Sequence, residues 1–198
     1  GINNRQKRFL DIAAQEMNRV NELLNRIMQV SYLESGALEF DSKATGSAKF
    51  LTECVEKMRP AAEIKGIKIV IDLSPDLPDI CGDPKFLQQI FVNLLGNAIK
   101  FSPSDSKVRI HADTDRGQIR FSVLDSGPGI PQNEQPYIFN KYFRGQGIRG
   151  KTDGVGLGLS IARHIVEAHG GLIWVESDSG NGTAMIFTLP VVSKELVS

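Results

Sequence analysis

The chain has 198 residues, 41% of them hydrophobic, so it can bury a core, and its length fits one domain of ordinary size or one domain with a smaller appendage. Its 23 basic residues balance 23 acidic ones, which gives no electrostatic reason to expect binding to nucleic acid or to an anionic membrane. Only two cysteines occur, which argues against a disulfide scaffold and favours a reducing, cytoplasmic compartment. No apolar run reaches the roughly 20 residues of a spanning helix, and the N-terminus has no signal-peptide layout. We therefore expect no membrane contact by this chain.

The first segment, residues 5–34, contains no proline or glycine and carries apolar residues at spacings of three and four. This stripe, typical of a coiled coil or helical bundle, consists of Ala13, Met17, Val20, Leu24 and Ile27. Further apolar residues beside it make it wider than one partner helix would cover. We expect a long helix, ended by Gly36, that packs on a partner outside this sequence. The alternative is a helix that folds back on the remaining domain.

The rest of the chain, residues 39–198, alternates between helical and strand patterns and predicts a second domain. Three helices are predicted, over residues 47–65, 85–100 and 157–169. Ser47 is the predicted cap of the first helix, and Pro60 is a predicted bend within it. Asp83 followed by Pro84 is typical of the start of the second helix.

Six runs in the same domain have strand character. They are 67–72, a short run around 80–81, 107–114, 118–125, 171–177 and 183–190. The sequence "DRG" joins the third and fourth runs as a turn, which predicts an antiparallel hairpin. The fold class predicted from these elements is α+β. We expect a two-layer sandwich, a mixed sheet of about five strands with three helices on one face, preceded by one long helix.

Two amides lie on the predicted second helix, in "FVNLLGNAIKFSP". Asn93 and Asn97 are four residues apart and share one helix face, with Lys100 one turn further along. Amide oxygens can ligate Mg²⁺, which usually also takes substrate phosphates, and a lysine ammonium suits the phosphates themselves. Each amide costs about 1–3 kcal/mol if buried without a partner. A pair of amides that caps nearby backbone is the alternative explanation.

The segment "LDSGPGIP" follows directly on an apolar strand. Gly127 and Gly129 permit positive φ or a ligand close to the backbone. Asp125 ends the strand with an acceptor, and its ionised carboxylate can accept a hydrogen bond from an exocyclic amine, which selects adenine over guanine. Taken alone, the segment fits an ordinary turn equally well.

The loop "PYIFNKYFRGQGIRGK", residues 136–151, combines aromatic residues, glycines and cations. The cations are Lys141, Arg144, Arg149 and Lys151. This composition fits a mobile lid that reaches toward phosphate, and it also fits solvated loop charges.

Three glycines at every second position, in "DGVGLGLS", precede the last predicted helix. Unpaired N–H groups at a helix N-terminus favour anions. The run lacks the Lys-Ser/Thr pair of a Walker loop, and no strand leads directly into it as in a dinucleotide-binding fingerprint. By itself it is consistent with either a phosphate-binding turn or a flexible one.

Taken in order, "NLLGNAIKFS", "DSGPGI", "IFNKYF" and "GVGLGLSIAR" resemble the N, G1, F and G2 boxes of the sensor histidine kinase ATP-binding domain. That domain is a branch of the fold shared with DNA gyrase, Hsp90 and MutL. The flanking segments extend the resemblance over residues 36–190. It implies binding of Mg-ATP and transfer of the γ-phosphoryl group to a histidine on a dimerisation domain, in two-component signal transduction.

The resemblance also implies roles for individual residues. Asn97 and Asn93 would hold Mg²⁺ and phosphate oxygens, and Lys100 would approach the phosphates. Asp125 would read the adenine amino group, supported through water by Thr183. The implied walls of the site and its backbone donors are Phe101, Gly127, Gly129, Ile130, Gly154, Gly156, Leu157 and Gly158.

The loop 139–151 is implied to be the lid of the nucleotide site. Within it, Lys141 or Arg144 would face the γ-phosphate. No residue of the chain is assigned a catalytic role beyond these two contacts.

Residues 1–38 resemble the second helix of the family's dimerisation and phosphotransfer hairpin. The first helix, which carries the phosphorylated histidine, has no counterpart in this sequence. His111 lies in a predicted strand, and His164 and His169 lie in the last helix, away from the amides. We therefore expect ATP binding without an acceptor histidine in this chain. The implied partners are a histidine-bearing dimerisation domain, a response regulator receiver domain and, in the full-length protein, a second copy. Sensor histidine kinases often lie at a membrane, so the resemblance allows a membrane-bound parent.

Two other functions are compatible with these boxes. A nucleotide-sensing pseudokinase would bind ATP and signal by conformation alone. An ATP-hydrolysing module of the gyrase or Hsp90 kind needs a general base, and those relatives place a glutamate where this chain has Asn93. An amide cannot take that proton, which disfavours hydrolysis.

Overall fold

A computed structural model describes residues 3–35, 39–148 and 154–191 of the chain. The chain divides into two compact units, Gly1–Leu38 and Glu39–Ser198. In the three ranges that the structure describes, no helix combines the length and the apolar character needed to cross a membrane.

The first unit is built on one helix, α1, which spans Asn4–Glu34 and confirms the predicted long helix. It begins with a capping box: the Asn3 side chain accepts the N–H of Gln6, and the Gln6 side chain accepts the N–H of Asn3, both at 2.9 Å. Met17, Val20, Leu24 and Ile27 of its apolar stripe are exposed, and so are Phe9 and Ile12 beside the stripe. Gly36, the predicted end of the helix, lies outside the described residues.

In residues 39–148 and 154–191, the described part of the second unit, there are three α-helices: α2 (Ser47–Ile64), α3 (Pro84–Phe101) and α4 (Gly158–Ala168). The prediction that Ser47 caps α2 is wrong. Gly46 is the N-cap, and the Ser47 hydroxyl instead donates to the Pro78 carbonyl at 2.5 Å. The predicted start of α3 is confirmed, since Asp83 Oδ1 accepts the Lys85 N–H at 2.9 Å.

The strands are β1 (Lys43–Thr45), β2 (Lys68–Leu73), β3 (Ile80–Gly82), β4 (Lys107–Asp115), β5 (Gln118–Asp125), β6 (Ile173–Ser177) and β7 (Thr183–Pro190). Five of them form a mixed sheet in the order β2-β4-β5-β7-β6, in which only β2 and β4 run parallel. The predicted hairpin of β4 and β5 is confirmed. A second, two-stranded sheet joins β1 to β3. Two short 3-10 helices, Gln135–Tyr137 and Gln146–Ile148, lie between β5 and α4.

The core lies between the helices and the sheet. Phe91 of α3 meets Phe121 of β5 and Phe187 of β7 edge-to-face, with ring centroids 5.4 and 5.2 Å apart, and all three rings are almost completely buried. Helix α2 packs on β2, and α4 packs on β6 and β7. The predicted α+β sandwich is confirmed, and α3 is held firmly because its apolar face is part of this core.

Candidate functional site

A cavity of about 330 Å³ opens beside α3, next to the ends of β5 and β7. Its walls are mainly apolar and carry a few polar side chains, as is usual for small-molecule sites. Six residues predicted for the site line it: Asn97, Phe101, Asp125, Gly129, Ile130 and Thr183. Arg144 lines it as well.

Asp125 and Thr183 face each other as the final pair between β5 and β7. The Asp125 carboxylate accepts the Gly127 N–H at 2.7 Å. Burial raises the pKa of Asp125 above its ordinary value, and backbone hydrogen bonds from Gly127 and Thr183 partly oppose that rise. The sheet thus places a partly desolvated hydrogen-bond acceptor at the wall of the cavity.

The turn after β5 is packed tightly against the β6–β7 turn. Gly129 has φ 73°, and a Cβ there would collide with the Asp178 carbonyl. The Gly180 N–H donates to the Pro128 carbonyl at 2.7 Å. Because no other residue fits this approach, glycine at 129 is required by backbone packing alone.

Two side chains that the sequence analysis missed hold this turn in place. The Ile130 N–H donates to Ser177 Oγ at 2.9 Å, and Gln135 Nε2 donates to the carbonyls of Ile130 and Ser177 at 2.9 and 2.7 Å. Both peptide groups that flank the Ile130 side chain are therefore held by hydrogen bonds. No local pattern indicates this arrangement, because Ser177 is 47 residues from Ile130 in the chain.

The two amides of α3 differ in their surroundings. Asn97 lines the cavity, whereas Asn93 lies under the start of α4, where a Cβ on Gly158 would sit 3.3 Å from Asn93 Oδ1. Asn93 Nδ2 is buried and finds no hydrogen-bond partner among the described residues. The alternative that both amides cap nearby backbone therefore fails for this NH₂ group. A buried donor of this kind carries a cost that a bound acceptor would relieve.

Lys100 lies at the end of α3 nearest the glycine run. Its ammonium is 5.2 Å from the centroid of the Phe101 ring, and a Cβ added at Gly154 would lie 3.3 Å from Nζ. The cation thus sits between the aromatic wall of the cavity and the start of the glycine run.

The glycine run lies against the preceding loop. Gly156 has φ 77°, and a Cβ there would lie 2.6 Å from the Phe143 carbonyl oxygen. The Tyr142 N–H donates to the Gly156 carbonyl at 2.9 Å. Leu157 is the buried N-cap residue of α4, and Gly158 is its first residue. The run therefore joins the loop around residue 143 to the N-terminus of α4.

The cationic loop is described through residue 148. Glu134, also missed from sequence, lines the cavity, and its Oε1 accepts the Gln146 N–H at 3.0 Å. Arg149 and Lys151, named from the sequence as lid cations, lie outside the described residues.

None of the three histidines, all within the described ranges, lines the cavity. His111 lies in β4 beside Asp72, with 3.2 Å between Nδ1 and Oδ2. His164 is inside α4, and His169 is its C-cap residue, where Nε2 accepts the Asp83 N–H at 3.1 Å. Both predicted placements, in a strand and in the last helix away from the amides, agree with the structure.

Comparison with known proteins identifies the family. Residues 82–193 match the family described as histidine kinase-, DNA gyrase B-, and HSP90-like ATPase. The chain belongs to this ATPase family. As a histidine kinase-like ATPase, it is 37% identical to the adaptive-response sensory kinase SasA of Gloeothece citriformis, over 87% of this chain and 44% of the relative. It is 35% identical to SasA of Synechocystis sp., over 90% of this chain and 47% of the relative. The chain thus spans about half the length of these curated relatives.

Solved structures place the ATPase chain with the sensor histidine kinases. A full-length ShkA in complex with AMPPNP superimposes with a TM-score of 0.87 at 30% identity, over 96% of this chain and 40% of ShkA. The catalytic domain of histidine kinase ThkA gives a TM-score of 0.66 at 30% identity, over 78% of this chain and 97% of that domain. The resemblance to the catalytic, ATP-binding domain of a sensor histidine kinase is confirmed.

Proposed function

We propose that this chain binds Mg-ATP in the cavity beside α3 and transfers the γ-phosphoryl group to a histidine on a dimerisation domain. The observation that supports this proposal is the arrangement of polar groups around the cavity, in a chain that belongs to the ATPase family. A desolvated acceptor, Asp125, lies at one wall, and the amide-bearing helix α3 forms another. A purine base would bind beside Asp125, and a metal-bound phosphate chain would bind along α3.

The base would bind against the ends of β5 and β7. Asp125 would accept a hydrogen bond from the adenine amino group, and Thr183, its cross-strand partner, would act beside it through water. Phe101 and Ile130 line the same cavity and would cover the faces of the base. The charged acceptor favours an amine over a carbonyl at this position.

The donor set of α3 fits Mg²⁺. This hard cation takes oxygen ligands, keeps several waters, and is usually held by one or two protein groups plus substrate phosphates. Asn97 would provide an amide oxygen, with Asn93 beside it, and the orphaned Nδ2 of Asn93 would gain a phosphate oxygen as partner. In the described part of the chain no three His, Cys, Asp or Glu side chains cluster as a resident metal site would require. When bound, the metal offsets the negative charge of the phosphates.

The phosphate chain would run from α3 toward the start of α4. Lys100 lies between the aromatic wall and the glycine run, and Arg144 lines the cavity. Lys141 belongs to the same loop, and it or Arg144 would face the γ-phosphate. Gly154, Gly156, Leu157 and Gly158 would add backbone N–H donors at the helix N-terminus, where anions are favoured.

The acceptor histidine would come from a partner. Position 93 offers an amide in place of the carboxylate that would activate water, so the chain favours transfer to an imidazole over hydrolysis. Helix α1, with its exposed apolar stripe, would be the second helix of the dimerisation hairpin and would pair two copies in the full-length protein. A response regulator would receive the phosphoryl group. Both cysteines are free, which supports a cytoplasmic location.

The test supplies the missing acceptor. The chain is incubated with γ-labelled ATP, Mg²⁺ and a separate hairpin that bears the phosphorylatable histidine. We expect acid-labile phosphohistidine on the hairpin, and none on a hairpin whose histidine is replaced by glutamine. Confirmed ATP binding without phosphohistidine would contradict the kinase role. Substantial ATP turnover without any acceptor would favour the hydrolase alternative.

A further inference from the structure

The hydroxyl of Ser177, at the end of β6, has three polar neighbours. It accepts the Ile130 N–H at 2.9 Å, lies 2.7 Å from the Gly182 carbonyl oxygen, and lies 3.1 Å from Thr183 Oγ1. A serine hydroxyl has one hydrogen to donate. Only one of its two oxygen neighbours can therefore receive that hydrogen.

The Ser177 hydroxyl donates its hydrogen to the Gly182 carbonyl. A carbonyl oxygen cannot donate, and two oxygens 2.7 Å apart with no hydrogen between them would repel each other. The hydrogen in the contact between Ser177 and Thr183 must then belong to Thr183. The Thr183 hydroxyl is thereby fixed as a donor to Ser177, and only its lone pairs remain for the cavity that Thr183 lines.

The position of Ser177 is itself fixed. Gln135 Nε2 donates to the Ser177 carbonyl at 2.7 Å and to the Ile130 carbonyl at 2.9 Å. The β5–β7 pairing places Thr183 opposite Asp125, so two hydrogen-bond acceptors face the cavity together. The 6-amino group of adenine has two hydrogens, one for each acceptor, whereas the 6-oxo group of hypoxanthine would put its lone pairs against them and leaves N1–H as the only donor of that edge.

We propose that Ser177 is a positioning residue for base selectivity: by orienting the Thr183 hydroxyl, it makes the site prefer a 6-amino purine over a 6-oxo purine. This inference rests on the proposed ATP site. Ser177 need not touch the nucleotide. Without its oxygen, the Thr183 hydroxyl is released to rotate and to donate its hydrogen toward a 6-oxo group, directly or through the water that the proposed site places beside Thr183.

The test measures the dissociation constants of ATP and inosine triphosphate by calorimetry in the wild-type chain and in Ser177→Ala. The expected result is a loss of about tenfold in the preference for ATP, mainly because inosine triphosphate binds more tightly to the variant. Ser177→Cys, close in size and a weak donor, should give an intermediate preference. Gln135→Leu keeps the Ser177 hydroxyl but releases the Ser177 carbonyl, so both affinities should fall and the preference should change less than in Ser177→Ala.

A double-mutant cycle with Thr183→Val separates this role from a general loosening of the site. Once the Thr183 hydroxyl is gone, Ser177→Ala should no longer alter the preference. If the wild-type chain prefers ATP and both Ser177→Ala and Ser177→Cys keep that preference, the role of Ser177 is overturned while the proposed ATP site stands. Equal binding of the two nucleotides by the wild-type chain would overturn the proposed adenine site and this inference with it.

Discussion

The backbone N–H of Tyr142 donates a 2.9 Å hydrogen bond to the carbonyl of Gly156. This bond fastens the loop before the glycine run to the turn that leads into α4. Gly156 has φ 77°, and a Cβ on it would lie 2.6 Å from the Phe143 carbonyl oxygen. The glycine is therefore required both by its backbone conformation and by the approach of a second backbone segment.

Gly156→Ala is expected to weaken ATP binding and to lower the free energy of unfolding by about 1–3 kcal/mol, because backbone must move away from the new Cβ. Calorimetry and denaturant unfolding measure the two effects. The control is Gly170→Ala, which has a similar φ of 75° but nothing within 4 Å of the added Cβ. An equal loss of stability in the two variants would show that backbone strain, and not the contact with Phe143, is responsible.

Asp125→Asn is expected to reduce ATP affinity about ten- to hundredfold, because a charged acceptor for the adenine amine becomes a neutral amide. The same change should stabilise the nucleotide-free chain at neutral pH, since burial raises the pKa of Asp125 and so disfavours its ionised form. Thermal unfolding without nucleotide and calorimetry with ATP report the two effects. A variant that binds ATP as tightly as the wild type would remove Asp125 from the site.

The raised pKa of Asp125 also predicts a pH dependence. The folded chain holds this proton more tightly than the unfolded chain, whose value is near the ordinary 3.8. The contribution to stability is therefore full below that value and is lost as the pH rises through the folded pKa. ATP affinity has the opposite trend: it falls when the pH is lowered and the carboxylate becomes protonated. The loss of ATP affinity at low pH should be absent in Asp125→Asn. If the loss persists in that variant, a group other than Asp125 is responsible.

Substitutions of the two amides of α3 should have different effects, one on metal binding and the other on stability. Asn97→Ala is expected to abolish the increase in ATP affinity that Mg²⁺ provides, as measured by calorimetry with and without the metal. Asn93→Leu is expected to raise the free energy of unfolding by about 1 kcal/mol, because it removes a buried amide donor without a partner, and to slow phosphotransfer. A destabilised Asn93→Leu chain would mean that the amide is satisfied in the free protein. An Asn97→Ala chain that still responds to Mg²⁺ would contradict the metal site.

His169 connects two helix ends. Its Nε2 accepts the Asp83 N–H at 3.1 Å, its Nδ1 lies 2.7 Å from the Ile165 carbonyl, and its ring packs on Phe40 with centroids 4.7 Å apart. His169→Phe keeps an aromatic ring but leaves the Asp83 N–H without its acceptor, so the free energy of unfolding should fall by about 1–3 kcal/mol. His111→Asn, which alters an exposed contact with Asp72, is the control and should change the free energy of unfolding by less than about 1 kcal/mol. Equal losses in the two variants would contradict the role of the hydrogen bond to Asp83.

The elements predicted well from sequence are those specified by neighbouring residues. The start of α3 follows from Asp83 and Pro84, whose effects act within one turn of the helix. The pairing of β1 with β3 was missed, since three-residue strands far apart in the chain leave no periodic signal. The error at Ser47 has the same origin: its hydroxyl donates to Pro78, and no local rule anticipates that acceptor.

The residues of the candidate site also fall into those that the sequence predicts and those that it does not. Asn97 and Asp125 were predicted because their residue types and their positions on a helix and a strand end carry the chemistry, and the structure brings both to one cavity. Gln135 and Ser177 were not predicted, because their role exists only where the turn after β5 meets the end of β6. Such supporting groups depend on the assembled fold and on pairs of positions distant in sequence.

The pairing of Asp125 with Thr183 has a consequence for how this domain can vary. The two residues are separated in sequence by the cationic loop, α4 and β6, yet the hydrogen-bonded register of β5 and β7 holds them opposite each other. The spacing of the two acceptors is therefore independent of the length of the chain between them. Lengthening or shortening the intervening loop would alter how the phosphate end of the cavity is covered while leaving recognition of the base unchanged.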